Sequence, residues 1–211
     1  IRVFDIPDTS RQARGKYINH IIPLESDESI SAILAIKNFD ENSYLFLTTR
    51  DGMVNRMSLS SFKKVRSSGL KAILLKSNDY LFNALHTTGN DKIILSSTSG
   101  KSIMFSESQI RERSRGTQGV TGIKLPRGSK IISSLNVQCS QVIFVTENGF
   151  GNKISVDSYN EQNRGGQGVI SIKTSDRNGQ VVGAANLDNT DHIILITNKG
   201  KTIKISASDM K

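Results

Sequence analysis

Two short loops hold the residue types best suited to chemistry in this chain: Arg115-Gly116-Thr117-Gln118-Gly119 and Arg164-Gly165-Gly166-Gln167-Gly168. A guanidinium neutralises and hydrogen-bonds a phosphate, and glycine lets a backbone approach an anion closely, so the chemistry is phosphate binding. Reduced copies stand at Arg14-Gly15 and Ser68-Gly69, and the last glycines of the four loops are 54, 50 and 49 residues apart. Basic residues recur with the loops: Arg11, Arg14 and Lys16; Lys63, Lys64, Arg66 and Lys71; Arg111, Arg113, Arg115 and Lys124; Arg164 and Lys173. One such loop alone reads as a solvated turn. Four in register predict a shared basic track for a polyanion, in keeping with a net charge of +9 and a pI of about 9.7. No aromatic residues interleave these charges, which argues against stacking on single-stranded bases and for a duplex backbone.

Other chemistries find no support. Gly100-Lys101-Ser102 and Gly200-Lys201-Thr202 resemble the end of a phosphate-binding loop, but Leu95 and Leu195 stand where that loop needs a further glycine. Both are expected to be hairpin turns. His20, His86 and His192 are scattered without metal-ligand spacing, and no nucleophile elbow or His-Glu-x-x-His motif occurs. Tyr17, Tyr44, Tyr80 and Tyr159 fall at strand or loop positions that packing or surface explains. The expectation is a chain with no catalytic residue, no metal site and no cofactor. Cys139 stands alone, which rules out an internal disulfide, suits a reducing compartment and predicts an inert, partly buried thiol. No apolar run approaches eighteen residues, and Ile1-Arg2-Val3-Phe4 lacks the order of a signal peptide, so no membrane partner is expected.

The elements that carry the loops form a repeat of about fifty residues. Its second mark is a tight-turn signature: Thr49-Arg50-Asp51-Gly52, Ser97-Thr98-Ser99-Gly100, Thr146-Glu147-Asn148-Gly149 and Thr197-Asn198-Lys199-Gly200, with glycines 48, 49 and 51 apart. Within the cycle from 81 to 125, Leu81–His86, Lys92–Ser97, Lys101–Phe105 and Val120–Leu125 read as four strands. The first run recurs at Ile30–Ile36, Ile131–Val137 and Gln180–Asn186. The second recurs at Tyr44–Thr49, Gln141–Thr146 and His192–Thr197, apolar without alternation and therefore expected to be buried on both faces. The third recurs at Met53–Ser58, Gly151–Val156 and Thr202–Ile205, with a helical turn expected after it at Leu59-Ser60-Ser61-Phe62, Glu107-Ser108-Gln109-Ile110 and Asp157-Ser158-Tyr159. Four strands per cycle around an axis describe an all-β, propeller-like array of four-stranded blades. The expectation is one domain over residues 1–211, about four blades plus a partial one, starting and ending mid-blade, with junctions near Gly15, Gly69, Gly119 and Gly168. A propeller-type protein-interaction module is the rival from another class. Its loops would vary in charge, and kelch or WD-type blades would bring Trp, of which there is none.

Gln162-Asn163-Arg164-Gly165-Gly166-Gln167-Gly168 resembles the gyrase A box, Gln-Arg-Arg-Gly-Gly-Lys-Gly, and Arg115-Gly116-Thr117-Gln118-Gly119-Val120 resembles a degenerate copy. Ser10–Lys16 leading into Ile21-Ile22-Pro23-Leu24, and Gly168–Lys173 leading into Arg177–Ala184, also look like the C-terminal domain of the bacterial DNA gyrase A protein. This resemblance implies a β-pinwheel whose blades exchange strands and whose outer perimeter binds and wraps duplex DNA with a fixed hand. That wrapping enables negative supercoiling by an ATP-dependent topoisomerase. The partners implied are DNA and, in the parent enzyme, a gyrase A dimer with gyrase B in the bacterial cytoplasm and nucleoid. The breakage tyrosine, metal site and ATPase lie elsewhere in that enzyme. The homologous domain of topoisomerase IV is the nearest rival. Asn163 and Gln167 replace basic residues of the box, and the strict box normally sits in a blade upstream of Ile1, which makes this loop a secondary copy.

Overall fold

The computed structural model describes residues 1–66 and 68–210; Lys211, the expected end of the domain, lies outside them. Among the described residues, fifteen strands follow one another in a fixed rhythm. The first hairpin is β1 (Tyr44–Thr49) and β2 (Met53–Ser58), followed by the short β3 (Ile73–Leu74) and by β4 (Leu81–Thr87). After them come β5 (Lys92–Ser97), β6 (Lys101–Ser106), β7 (Thr117–Gln118), β8 (Val120–Thr121) and β9 (Ile131–Asn136). Then come β10 (Gln141–Thr146), β11 (Gly151–Ser155), β12 (Val169–Ile170) and β13 (Val181–Leu187), and finally the hairpin β14 (His192–Ile196) and β15 (Thr202–Ser206).

The blade sheets are antiparallel and small. Their orders are β4-β1-β2-β8, β9-β5-β6-β12, β13-β10-β11 and β14-β15. Each is a blade, and in the first three the innermost strand is the first run of the next cycle. β4, β9 and β13 pack side by side, so they form the inner column and the opposite sheet edges form the perimeter. The inner contacts are polar and made by small residues: Thr48 and Ser134 hydroxyls are 2.8 Å apart, Ser133 Oγ donates to the Ala184 carbonyl (3.0 Å) and Asn186 Nδ2 to that of Asn136 (2.8 Å). Short side chains let the strands converge, and each buried polar atom still needs a partner.

The core lies between sheets. Phe46, Val54, Ile93, Leu95, Ile103, Phe105 and Ile110 fill the space between the first and second blades. Ile94, Met104, Val142, Phe144 and Val181 fill the next, and Ile143 with Leu187 and Ala207 the one after. Ile94 thus points opposite to Ile93 and Leu95. The unalternating second runs at β1, β5 and β10 are buried on both faces, as their composition requires. β14 differs: Ile194 is 59% and Ile196 70% exposed, because no further sheet among the described residues covers that side.

The hairpin turns form as expected, each closed by a glycine N–H donating three residues back, Gly52 to Thr49 (3.1 Å) and Gly100 to Ser97 (3.0 Å). The turn at Gly100-Lys101-Ser102 is therefore no phosphate-binding loop. After the third strands the expected helical turns are 3₁₀, at Leu59–Phe62, Glu107–Gln109 and Val156–Ser158, with another at Ala207–Asp209. Ser58 and Ser106 cap the first two by accepting the N–H two residues on.

The expected strand at Ile30–Ile36 does not form. Each first run pairs with the second run of the cycle before it, β4 on β1 and β9 on β5, and no such run stands among residues 1–29. Its side chains still alternate between exposed and half-buried from Ser31 to Ile36. Val120–Leu125 is shorter than expected too: only Val120–Thr121 is strand, because the partner β2 begins opposite it at Met53 and Val54.

Candidate nucleic-acid interface

The glycine loops around Gly69, Gly119 and Gly168 lie at the outer sheet edges, opposite the inner column. Gly119 and Gly168, the last glycines of their loops, each lead into a strand that joins the blade before. β8 adds to β2 with Val54 opposite Val120, and β12 adds to β6 with Ser102 opposite Val169. At Gly119 an added Cβ would lie 2.7 Å from the Val54 carbonyl oxygen, and at Gly168, whose φ is +68°, it would press into the Ser102 carbonyl. These two glycines therefore serve close approach to a neighbouring blade rather than to a phosphate.

Successive loops are zipped to one another. β3 pairs in parallel with β7, Ile73 opposite Thr117, and Ile123 bridges Gly166 in the same sense. The Gly116 N–H donates to the Ala72 carbonyl (2.8 Å), and one cycle later the Gly165 N–H donates to that of Gly122 (2.6 Å). Lys124 N–H donates to the Gly166 carbonyl (2.8 Å). The loops around Gly69, Gly119 and Gly168 thus follow one another along the perimeter.

The cations separate into groups. Lys63, Lys64, Arg66, Lys71, Arg111, Arg115, Lys124 and Lys173 are exposed on these neighbouring loops, and Arg113 is half-buried with its N–H on the Arg56 carbonyl (2.9 Å). Among the described residues the ion pairs are Lys92–Glu161 and Lys130–Asp51, so none of the candidate cations is neutralised by a carboxylate. Arg11, Arg14 and Lys16 are also exposed, but residues 1–39 hydrogen-bond only among themselves within the described residues. The structure does not join that loop to the others.

Arg164 is placed otherwise than the loop pattern suggests. It is half-buried: Nε donates to the Gln109 carbonyl (3.2 Å) and Nη1 to that of Thr121 (3.2 Å). Of the rest of the box-like loop, Asn163 and Gln167 are exposed, while Gln162, Gly165, Gly166 and Gly168 are half-buried. Cys139 is half-buried, and burial together with Asp188 and Asp191 holds its thiol above the usual range, which favours the less reactive protonated form.

Further exposed cations lie beside the hairpin turns. Lys76, Arg127 and Arg177 are 51 and 50 residues apart, a recurrence in phase that the loop-centred reading passes over. Arg177 caps the Phe150 ring at 5.1 Å, and its carbonyl accepts Asn148 Nδ2 (2.9 Å). They extend the positive surface from the outer edge toward the turns. No helix among the described residues is long and apolar enough to cross a membrane.

A family model described as DNA gyrase C-terminal domain, beta-propeller, matches residues 1–37, 43–88, 91–138, 140–188 and 191–209. The DNA gyrase A protein of Salmonella typhimurium is 37% identical over 211 residues, covering 100% of this chain and 24% of that protein. The gyrase A protein of Neisseria gonorrhoeae is 35% identical over 255 residues, covering 100% and 28%. The chain therefore spans about a quarter of the length of these relatives. Among solved structures, a DNA topoisomerase IV C-terminal domain superposes with a TM-score of 0.90 at 27% identity, over 99% of this chain and 66% of that one. A DNA gyrase A C-terminal domain does so with 0.81 at 30%, over 93% and 66%.

Proposed function

The chain belongs to the DNA gyrase C-terminal domain family of β-propellers, and on that premise we propose that it binds duplex DNA without sequence preference and wraps it with a fixed hand around its outer edge. The observation that carries the reading is the run of exposed, carboxylate-free cations on three glycine loops zipped together along one perimeter. A curved row of point charges suits a bent phosphate backbone, and it offers no array of side chains to read base edges.

The domain contributes binding, not chemistry. In the parent enzyme, a gyrase A dimer with gyrase B on the bacterial nucleoid, the wrap gives strand passage its direction and so introduces negative supercoils. Strand breakage and ATP hydrolysis belong to the other parts. Bending a site of 20–30 base pairs costs about 1–6 kcal/mol, which several phosphate contacts offset. Fluorescence anisotropy with a 30-base-pair duplex tests the reading. Log affinity should fall steeply with log salt, with a slope of roughly −0.9 per phosphate neutralised, and two unrelated sequences should bind alike. Affinity that does not change with salt would sink the idea.

The close superposition on a topoisomerase IV domain favours a second reading, in which the parent enzyme unlinks DNA without supercoiling it. Incubating the full enzyme with a relaxed circle and ATP separates the two: negative supercoils support gyrase, and their absence with intact decatenation supports topoisomerase IV.

A further inference from the structure

Arg115 and Arg164 hold the same place in successive loops. Each precedes the glycine whose N–H donates to the loop before, Gly116 to Ala72 and Gly165 to Gly122. Each lies on the 3₁₀ turn of the preceding blade. Those turns differ at one telling position. Counting three residues from the capping serines, Ser58 and Ser106, the first turn has Ser61 and the second Gln109.

Gln109 is long enough to reach the next loop. Its Oε1 accepts the Arg164 N–H (2.8 Å) and its Nε2 donates to the Gln162 carbonyl (3.1 Å). That staple brings the arginine under the turn, where its guanidinium donates to the carbonyls of Gln109 and Thr121. A guanidinium donates along fixed directions, so two carbonyls at these positions engage two of its five N–H groups and fix where it points. Ser61 has no such reach. The Arg115 guanidinium instead lies 6.0 Å over the Phe62 ring, at the edge of an open hollow lined also by Ser61, Glu112, Arg113 and Ser114.

We propose that the two equivalent arginines have divided their work: Arg115 is a phosphate ligand, Arg164 is a clamp between blades, and Gln109 is the positioning residue that keeps Arg164 from the DNA. The phosphate half of this assignment rests on duplex binding as proposed above.

The test uses the 211-residue chain, a labelled duplex of about 30 base pairs titrated across KCl concentrations, and thermal unfolding of each variant. Arg115→Ala makes the log–log slope shallower by about 0.9 and leaves Tm unchanged. Arg164→Ala leaves the slope unchanged and lowers Tm by roughly 4–8 °C, through loss of two hydrogen bonds from a charged donor. Gln109→Ser frees the guanidinium and makes the slope steeper by about 0.9, and the gain disappears in the Gln109→Ser, Arg164→Ala double variant. A merely structural glutamine would not move the slope, so an unchanged slope in Gln109→Ser overturns its assignment. Equal loss of slope in Arg115→Ala and Arg164→Ala, with Tm intact in both, overturns the division. If the unsubstituted chain shows no salt-dependent duplex binding, the DNA reading itself fails. The Tm comparison then decides the clamp, and equal Tm values for the two alanine variants overturn it.

Discussion

Glu107 shows how much a single residue settles in these thin blades. Its carboxylate has no exposure to solvent and accepts three hydrogen bonds, from Thr87 Oγ1 (2.6 Å), Gly89 N–H (2.7 Å) and Asp91 N–H (3.0 Å). It fastens the loop between β4 and β5 to the end of β6. Glu107→Ala would leave all three donors unpartnered, at a cost of about 3–5 kcal/mol. Glu107→Gln keeps one oxygen for the two amides, and the Thr87 hydroxyl can rotate to accept from the new NH₂. The loss there should be about 1 kcal/mol, and urea unfolding of the two variants checks the contrast. Tyr159, Ser102 and Ser171 make a second buried node, three hydroxyls bonded in a closed triangle where the strand after the box-like loop docks. Burial raises the Tyr159 pKa, against the smaller opposing effect of the two serine hydrogen bonds. A raised pKa means the folded state holds a proton that the unfolded state gives up. The contribution is therefore intact below about pH 10, the ordinary tyrosine value, and is lost as pH rises through the folded value. Tyr159→Phe should flatten part of the fall in stability above about pH 10 while costing about 1 kcal/mol at neutral pH. Identical alkaline curves for the two proteins would show that Tyr159 does not titrate with unfolding.

The strands that leave the Gly119 and Gly168 loops are the elements that make the blades one body. Gly168 takes a positive φ and lies against the Ser102 carbonyl, so Gly168→Ala meets both backbone strain and a collision. Gly149 also takes a positive φ, but a Cβ there meets nothing within 4 Å. Denaturant unfolding should find Gly149→Ala costing about 1–2 kcal/mol and Gly168→Ala clearly more, about 2–4 kcal/mol. Similar losses at both would mean that β12 is not held against β6 in solution. This exchange explains what sequence could and could not reveal. Hairpins such as β5–β6 are local, and their apolar runs and turn glycines mark them, so β1, β5 and β10 are legible to the residue. The pairing of β8 with β2 joins residues more than sixty positions apart and leaves no local period. Hence Gly119 and Gly168 read as phosphate-facing when they face a neighbouring strand. The resemblance to a strand-exchanging pinwheel supplies that link where the pattern does not. Ile30–Ile36 has the composition of a strand and lacks only a partner, which composition cannot report. The setting of Arg164 is hidden for the same reason: its charge is visible in the sequence, but the two carbonyls that engage it come from Gln109 and Thr121, far along the chain.

At the scale of the whole molecule, a net charge of +9 is borne by blades that share cores only with their immediate neighbours. Such an array sets curvature through small rotations repeated from blade to blade. The zipped loops carry that curvature to the perimeter, and in the proposed reading DNA that follows the cations is bent by the array and takes a fixed hand from it. Charge alone would bind DNA without giving it a hand, and this separates wrapping from mere adhesion. The measurement that tests this most directly is the topology of nicked circles religated with increasing amounts of the chain bound, then stripped of protein. The account predicts a linking-number distribution that shifts steadily, always with one sign, as the bound protein rises. A distribution that stays centred on the protein-free value at saturating binding would contradict it.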